Sequence, residues 1–306
     1  MELVFAKLIL TLRLQAEIHD PYLLFSVKSG FTQSFQRAVC RADGLCQSCR
    51  FRPDCAYHAV FSRELASDSD AVKRFQKPSV PFVFQVPVLS ATLRKGSEVE
   101  LGLVLIGSAT RFLAEFWAVI QYHFLQGASR GMLPFAIVKM ESAGCSGYRT
   151  LLATESKLLN SELLTTISLD DLSALNTLTA ERLPLRLTTP LRIAHDGGFF
   201  HEFSFSPFMR TLMRRISSLA YYYYGSILEM DYKRLAALAE SITVTESSFC
   251  WHEWRPGRLA GIVGDGVLCG DLSDFHPALL LGEYLHCGKD AAFGLGRFEI
   301  GERIKR

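Results

Sequence analysis

Two histidine neighbourhoods and one cysteine set hold the residue types able to do chemistry. In "GEYLHCGKDAAFGLGRFEI", residues 282–300, His286 and Lys289 stand three apart beside Gly288, Gly294 and Gly296, and Arg297 follows. Imidazole titrates near neutrality and can take or give a proton, while a cation steadies charge developing on a phosphate. His58 lies beside Tyr57 at the end of a cysteine-rich stretch, in "CAYHAVF". His19 and His123 are the next candidates; His195, His201, His252 and His276 rank below them. For each, an ordinary structural or surface role is the alternative.

The glycines first suggest a dinucleotide fingerprint. That motif requires a strand leading in and a helix leading out, so that backbone N–H groups meet the phosphate. Here "RFEIGERIKR" follows, and Phe298 and Ile300 alternate with charges as an edge strand does. The nucleotide-fold reading fails on context. A glycine loop over a sheet edge can instead let an RNA backbone approach its amides. A tight turn needing positive φ is the competing account.

Cys40, Cys46, Cys49 and Cys55 are spaced C-x5-C-x2-C-x5-C. Four thiolates can close a tetrahedral structural zinc site, and the central pair has a usual ligand spacing. Four reduced cysteines on a half-buried loop are the alternative. Cys145, Cys250, Cys269 and Cys287 are scattered, which argues against a disulfide framework.

The net charge of +2 says little, and clustering says more. Lys28, Arg37, Arg41, Arg50 and Arg52 crowd one segment; Arg210, Arg214 and Arg215 share one expected helix; Lys289, Arg297, Arg303, Lys305 and Arg306 gather near the end. Each cluster alone reads as a solvated face, but three of them beside aromatics and glycine loops point to a phosphate-bearing partner. No segment reaches the roughly 18 apolar residues of a membrane span. "MELVFAKLILTLRL" alternates as a half-buried strand and has no cleavage site after it, so a cytoplasmic protein is expected.

What would position these groups? "VELGLVLIG" reads as a strand, followed by a helix over 109–125, the loop "QGASRGM" and the strand "LPFAIVKM". "GRLAGIVGDGVL", a helix near 277–285, the terminal loop and strand 296–300 repeat that order. Each half opens with a strand and a helix, 2–14 with 29–40 and 183–193 with 206–224. The expected fold is therefore α+β, with two tandem ferredoxin-like (RRM-like) βαββαβ domains. Residues 1–150 form the first, with a Cys-rich insertion at 40–55; 151–180 is the linker; 181–306 form the second. One sheet face of such a domain can be open for stacking single-stranded bases. Tyr221 to Tyr224 offer rings at a helix end, with packing as the favoured use.

With these residues in hand, the chain resembles the CRISPR-associated repeat-RNA processing endoribonucleases of the RAMP superfamily, in the subgroup with a His-x-Gly-Lys terminal loop. "LHCGKDAAFGLGRFEI" is similar to the family's glycine-rich signature, and "LTTPLRI" with "FSFSPFMRTLMRRISSLAYYYYG" to its central strand and double-arginine helix. "GLVLIGSA" with "GASRGM", and the cysteine stretch ending "CAYHAVF", have counterparts in the first domain. The chain departs at "SGFTQSFQ", at "WHEWRPGRLAG" and at Cys287.

The resemblance implies metal-independent cleavage of CRISPR repeat RNA in antiviral defence, with the guide RNA retained in an interference complex. The RNA 2′-hydroxyl would attack the neighbouring phosphate and leave a 2′,3′-cyclic phosphate. Catalysis would fall to His58, His286 and Lys289, and RNA binding to Arg37, Arg210, Arg214, Arg215, Gly288, Gly294, Gly296 and Arg297. No cofactor is expected for catalysis. The alternative is a guide-RNA-binding subunit that does not cut; a metal-binding interaction protein is a weaker third.

Overall fold

The alternating N-terminal residues form strand β1, Phe5–Leu14, the centre of a six-stranded antiparallel sheet. The computed structural model describes residues 3–42, 46, 48–62, 78–129, 133–155, 157–175, 181–228, 231–255 and 259–301. In the first unit, strands β2 (Phe82–Gln85), β3 (Glu98–Ile106), β4 (Phe135–Ala143), β5 (Arg149–Thr154) and β6 (Lys157–Leu158) assemble in the order β2-β3-β1-β4-β5-β6. Helix α1, Phe31–Val39, follows β1, a short α2 spans Ala56–Phe61, and α3, Leu113–Ser129, joins β3 to β4. The βαββαβ order of a ferredoxin-like domain is thus present, with β5 and β6 added at one edge. Ile9 and Thr11 of β1 are buried, as are Leu8 and Leu10 on the opposite face, so the central strand offers no open face for stacked bases.

Phenylalanines build the layer between helices and sheet. Phe31 and Phe35 of α1, Phe116 of α3 and Phe82 and Phe84 of β2 are all fully buried. Phe31 meets Phe84 at 5.0 Å and Phe35 meets Phe116 at 5.0 Å, both edge to face. Each such ring contributes about 2–3 kcal/mol by leaving water. His123 lies on the same stripe of α3, seven residues after Phe116, and is 4% exposed. Its Nδ1 meets Ser34 Oγ of α1 at 2.9 Å. Burial pushes its pKa down to about 4. His123 is a core residue.

The stretch expected as a linker is largely structured. Residues 151–154 complete β5, and Ile167 exchanges two backbone hydrogen bonds with Phe5, at 3.0 and 2.7 Å. The first compact unit runs to Ile167, and the second centres on Ser168–Arg306. Helix α4, Leu169–Leu175, opens the second; residues 176–180 lie outside those described.

In the second unit, strand β7 (Arg182–Leu191) leads to a small hairpin of β8 (Ala194–His195) and β9 (Gly198–Phe199). Helix α5, Phe205–Tyr224, buries Phe205, Phe208, Met209, Leu212, Met213 and Ile216 along one stripe. It stops at Gly225, φ 73°, whose N–H closes on the Ala220 carbonyl as a left-handed cap. Then come α6 (Tyr232–Ser241), β10 (Thr243–Thr245), β11 (Cys250–Arg255), β12 (Leu259–Cys269), α7 (His276–Leu285) and β13 (Phe298–Ile300). The main sheet order, β10-β12-β7-β13, repeats the ferredoxin-like arrangement, with β11 paired to β12 beside it. Two tandem ferredoxin-like domains are therefore what the chain forms.

The terminal glycine loop ties α7 to β13. Gly296 N–H donates to the Pro190 carbonyl at 3.0 Å, Cys287 N–H to that of Gly296 at 3.0 Å, and Lys289 N–H to that of Arg192 at 2.9 Å. Thr189 Oγ1 donates to the Gly294 carbonyl and accepts from Arg297 N–H, both at 2.8 Å. Gly296 has φ 63°, and a Cβ there would sit on the Cys287 carbonyl oxygen.

Gly296→Ala should therefore destabilise the fold by at least about 2 kcal/mol, combining left-handed strain with a backbone clash. Denaturant unfolding of the two proteins checks this. For His123, a folded pKa of about 4 lies below the unfolded value of 6.5, so its contribution is complete above pH 6.5 and lost as pH falls. Stability should drop by about 1.4 kcal/mol per pH unit between those values. A His123→Gln variant should show a flatter unfolding-versus-pH curve over that window.

Candidate nucleic-acid interface

His58 stands in the first turn of α2, one residue from Tyr57, and lines a cavity of about 430 Å³. Arg41, Arg52, Gln36, Tyr57 and Glu115 line the same cavity. A 3-10 turn, Arg52–Asp54 with Pro53 inside it, brings Arg52 back over α2. Arg52 Nε donates to His58 Nε2 at 2.8 Å, which puts the ring proton on Nδ1. Partial burial, then the Arg52 charge, lowers the His58 pKa below its ordinary 6.5. Tyr57 is raised by burial and by Cys46 and Cys55, so its hydroxyl keeps its proton. A neutral imidazole, two guanidiniums and a phenol around one space can hold a phosphate and accept a proton.

Cys40, Cys46, Cys49 and Cys55 line this cavity too. All four are free and partly exposed. Among the described residues no group of three or more His, Cys, Asp or Glu side chains is arranged to hold a metal ion. The expected zinc set is therefore without support among the described residues. Gln36 Nε2 donates to Cys46 Sγ at 3.7 Å, which occupies one of the four cysteines in a different contact.

His286 does not sit at a loop mouth. It is 0% exposed, at φ 56°, and neither ring nitrogen has a hydrogen-bond partner of good geometry. Burial drives its pKa well below 6.5, helped by the Arg297 and Arg215 charges; backbone groups of Leu295 and Ala291 oppose this weakly. An enclosed neutral ring cannot exchange protons with an RNA at the surface. Arg215 is likewise interior at its head. Its Nε donates to the Leu285 carbonyl at the end of α7, at 2.9 Å, while one Nη is buried without a partner. Burial lowers its pKa to about 10, leaving it charged and structural. Cys287, buried beside it, is raised to about 12 and stays a thiol.

The expected glycine nest is filled from within. Gly294 and Gly296 are buried, and the loop N–H groups of Cys287, Lys289, Gly294, Gly296 and Arg297 are spent on protein acceptors. Gly288, φ 84°, has no room for a side chain against the Arg192 carbonyl. The glycines serve the turn. What the loop does present is Lys289, exposed, with Nζ 5.3 Å from the Phe199 ring centre. Arg297 is half-buried and meets Glu299 at 3.4 Å. Arg210 is exposed but paired with Glu240 at 2.5 Å, and Arg37 and Arg214 are exposed on their helices. Arg303, Lys305 and Arg306 lie outside the described residues.

Two features escaped the sequence reading. Arg52 was counted only as one charge in a cluster, whereas its six-residue spacing from His58 across a Pro-containing turn makes it the partner of that ring. His201, ranked low, lies flat on Trp251 of β11, with ring centres 4.1 Å apart and planes 8° from parallel.

Comparison with known proteins agrees with this architecture. A family model described as an N-terminal domain, AF_1859_N, matches residues 3–164. A model described as CRISPR-associated endoribonuclease Cas6 matches residues 185–298. Among curated proteins no sequence matches. Of solved structures, Thermus thermophilus Cas6 superposes with TM-score 0.53 at 16% identity, over 98% of this chain and 99% of that one. A Cas6 product complex gives 0.53 at 17% identity, over 98% and 100%. A partial Cas6-RT-Cas1--Cas2 complex gives 0.56 at 9%, over 98% of this chain and 46% of that chain, so this protein spans under half of it. At such identities the superpositions establish the fold. The sequence models go further: the first takes in more than half of the chain, which therefore belongs to the family with that N-terminal domain, and the second, following it in order, makes residues 185–298 similar to CRISPR-associated endoribonuclease Cas6.

Proposed function

We propose that the protein cuts CRISPR repeat RNA, the precursor of guide RNA, without a metal ion and with His58 as the proton-transfer group. The observation that carries this reading is the neutral His58 ring lining a cavity of about 430 Å³ that also holds Arg41 and Arg52, with Arg52 bonded to the ring at 2.8 Å. The RNA 2′-hydroxyl is the nucleophile. Its oxygen bonds to phosphorus as the bond from phosphorus to the 5′-oxygen breaks, giving a 2′,3′-cyclic phosphate and a free 5′-hydroxyl. His58 Nε2 takes the 2′ proton, and the imidazolium or solvent returns one to the leaving oxygen. Arg52 must first release Nε2, and an arriving phosphate is the better acceptor for a guanidinium. The cation that blocks the base then neutralises the reacting phosphate. Proton transfer of this kind is worth about 10²–10⁴ in rate.

Lys289, exposed on the second unit, serves as a phosphate contact. The enclosed His286 takes no part in proton transfer. A solved Cas6 structure described as a product complex supports retention of the processed guide. The likeness to a Cas6-RT-Cas1--Cas2 complex supports other CRISPR proteins as partners. A second reading, a guide-RNA-holding subunit without cleavage, draws on one observation: Arg52 already fills the acceptor nitrogen of the only histidine lining the cavity among the described residues.

Repeat RNA should be cut in excess chelator, and an RNA with a 2′-deoxy sugar immediately 5′ of the cut should bind yet stay whole. His58→Ala should slow cleavage by about 10²–10⁴-fold with little loss of affinity, measured in single turnovers. Equal rates for the two proteins would remove His58 from the chemistry, and no cleavage by the wild type would favour the RNA-holding reading. Because the His58 pKa is lowered, its base form persists below pH 6.5, so the acidic fall in kcat/KM should begin below that value. Arg52→Gln should move that fall upward. Lys289→Ala should flatten the dependence of log affinity on log salt by about 0.7.

A further inference from the structure

The second unit carries an aromatic cluster that the cleavage chemistry does not use. Trp251 of β11 is half-buried, and His201 lies parallel on it at 4.1 Å with its own side chain exposed. Phe199 of the β8–β9 hairpin flanks the same indole at 6.4 Å and 24°. The Lys289 ammonium stands 5.3 Å from the Phe199 ring centre, and the Arg192 guanidinium 5.8 Å. Strand β11 pairs with β12 alone among the described strands, leaving its other edge outside the sheet.

Ordinary core packing does not account for this arrangement. The fully buried core rings meet tilted or edge to face, as Phe205 and Phe208 do at 46° and Phe208 and Phe298 at 79°. The His201–Trp251 pair is instead flat and reaches solvent, with a cation one ring away. A flat stack beside an exposed lysine ammonium fits a ligand that is itself flat on one part and anionic on the next. A nucleotide has that form, and nucleobases stack on aromatic side chains whatever their identity.

We propose that an unpaired nucleotide of the RNA continues the stack on His201 and Trp251, with its phosphate at Lys289. This deepens the functional reading above and rests on it. The site would select for a single-stranded segment, since a base inside a duplex already has both faces covered.

The probe is an eight-nucleotide oligoadenylate, compared with the same strand annealed to its complement. In a Trp254→Phe background, the remaining indoles are Trp251 and the 4%-exposed Trp117 of α3. Oligoadenylate should quench the fluorescence of that variant, and the duplex should not. Trp251→Ala and, separately, His201→Ala should weaken oligoadenylate binding by roughly 5- to 150-fold, the worth of one base–aromatic stack. Affinity for the duplex should stay the same. His201 is exposed, so its replacement keeps the test valid if Trp251→Ala melts early. Unaltered oligoadenylate affinity in a folded His201→Ala protein, with no quenching, overturns the stacking site while repeat cleavage by the wild type still stands. A wild type that binds neither probe nor repeat RNA overturns the functional reading, and this inference with it.

Discussion

The second unit depends on one constraint: backbone N–H groups of the terminal loop are satisfied by the end of strand β7. Buried amides without partners are costly, so a glycine loop that enters the interior must find acceptors there. Pro190, Arg192 and Gly296 offer their carbonyls, and Thr189 uses its hydroxyl twice, as donor and acceptor. Closing the loop so tightly leaves no volume for a Cβ at Gly288 or Gly296. It also encloses His286 and directs Lys289 outward. One hydrogen-bond pattern thereby sorts the loop's titratable groups into an interior histidine and an exterior lysine.

The interior that results is unusual in charge. The Arg215 head, His286 and Cys287 are enclosed together, and burial acts on each in the direction of its neutral form. Only the arginine stays charged, and its bond to the Leu285 carbonyl sets a cation at the C-terminal end of helix α7, where the helix dipole favours it. With the histidine neutral and the thiol protonated, one charge is buried instead of three. That is why a Cas6-type terminal loop can carry His-Cys-Gly-Lys and still fold around it.

The strands and helices that were legible in the sequence share one property: a face buried at a fixed period. Strand β1 and helix α5 have that property, and so does α3 apart from its 3-10 entry at 107–112. Strand β11 does not, because Cys250, His252 and Glu253 are exposed and its tryptophans are only half-covered. Strands β5 and β6 hide at the start of a serine- and threonine-rich stretch, and within the two strands just Leu152 and Ala153 are buried. Site residues were legible by type and less so by direction. Lys289 could be read as exposed from its charge. His286 could not be read as buried, since glycine and charge on one side mask the apolar Leu285 and Cys287 that flank it. His58 was legible as a candidate, but the ring's tautomer is set by Arg52 across a turn that periodicity does not describe.

In the proposed reaction the substrate brings its own nucleophile, which changes what a sequence must display. No activated serine or cysteine is required, and a metal cluster has no necessary part. One imidazole and one guanidinium near a phosphate supply what in-line displacement needs from side chains. Such a pair leaves little trace in a sequence, and the one proposed lies in the 52–58 segment, off both sheets, where strand and helix periods say nothing. In the second unit the sheet instead fixes the loop that carries Lys289 and the strand that carries Trp251. The fold and the proposed chemistry are therefore written in different parts of the chain, so the fold is recognisable at under 20% identity while candidate reacting residues have to be sought in space.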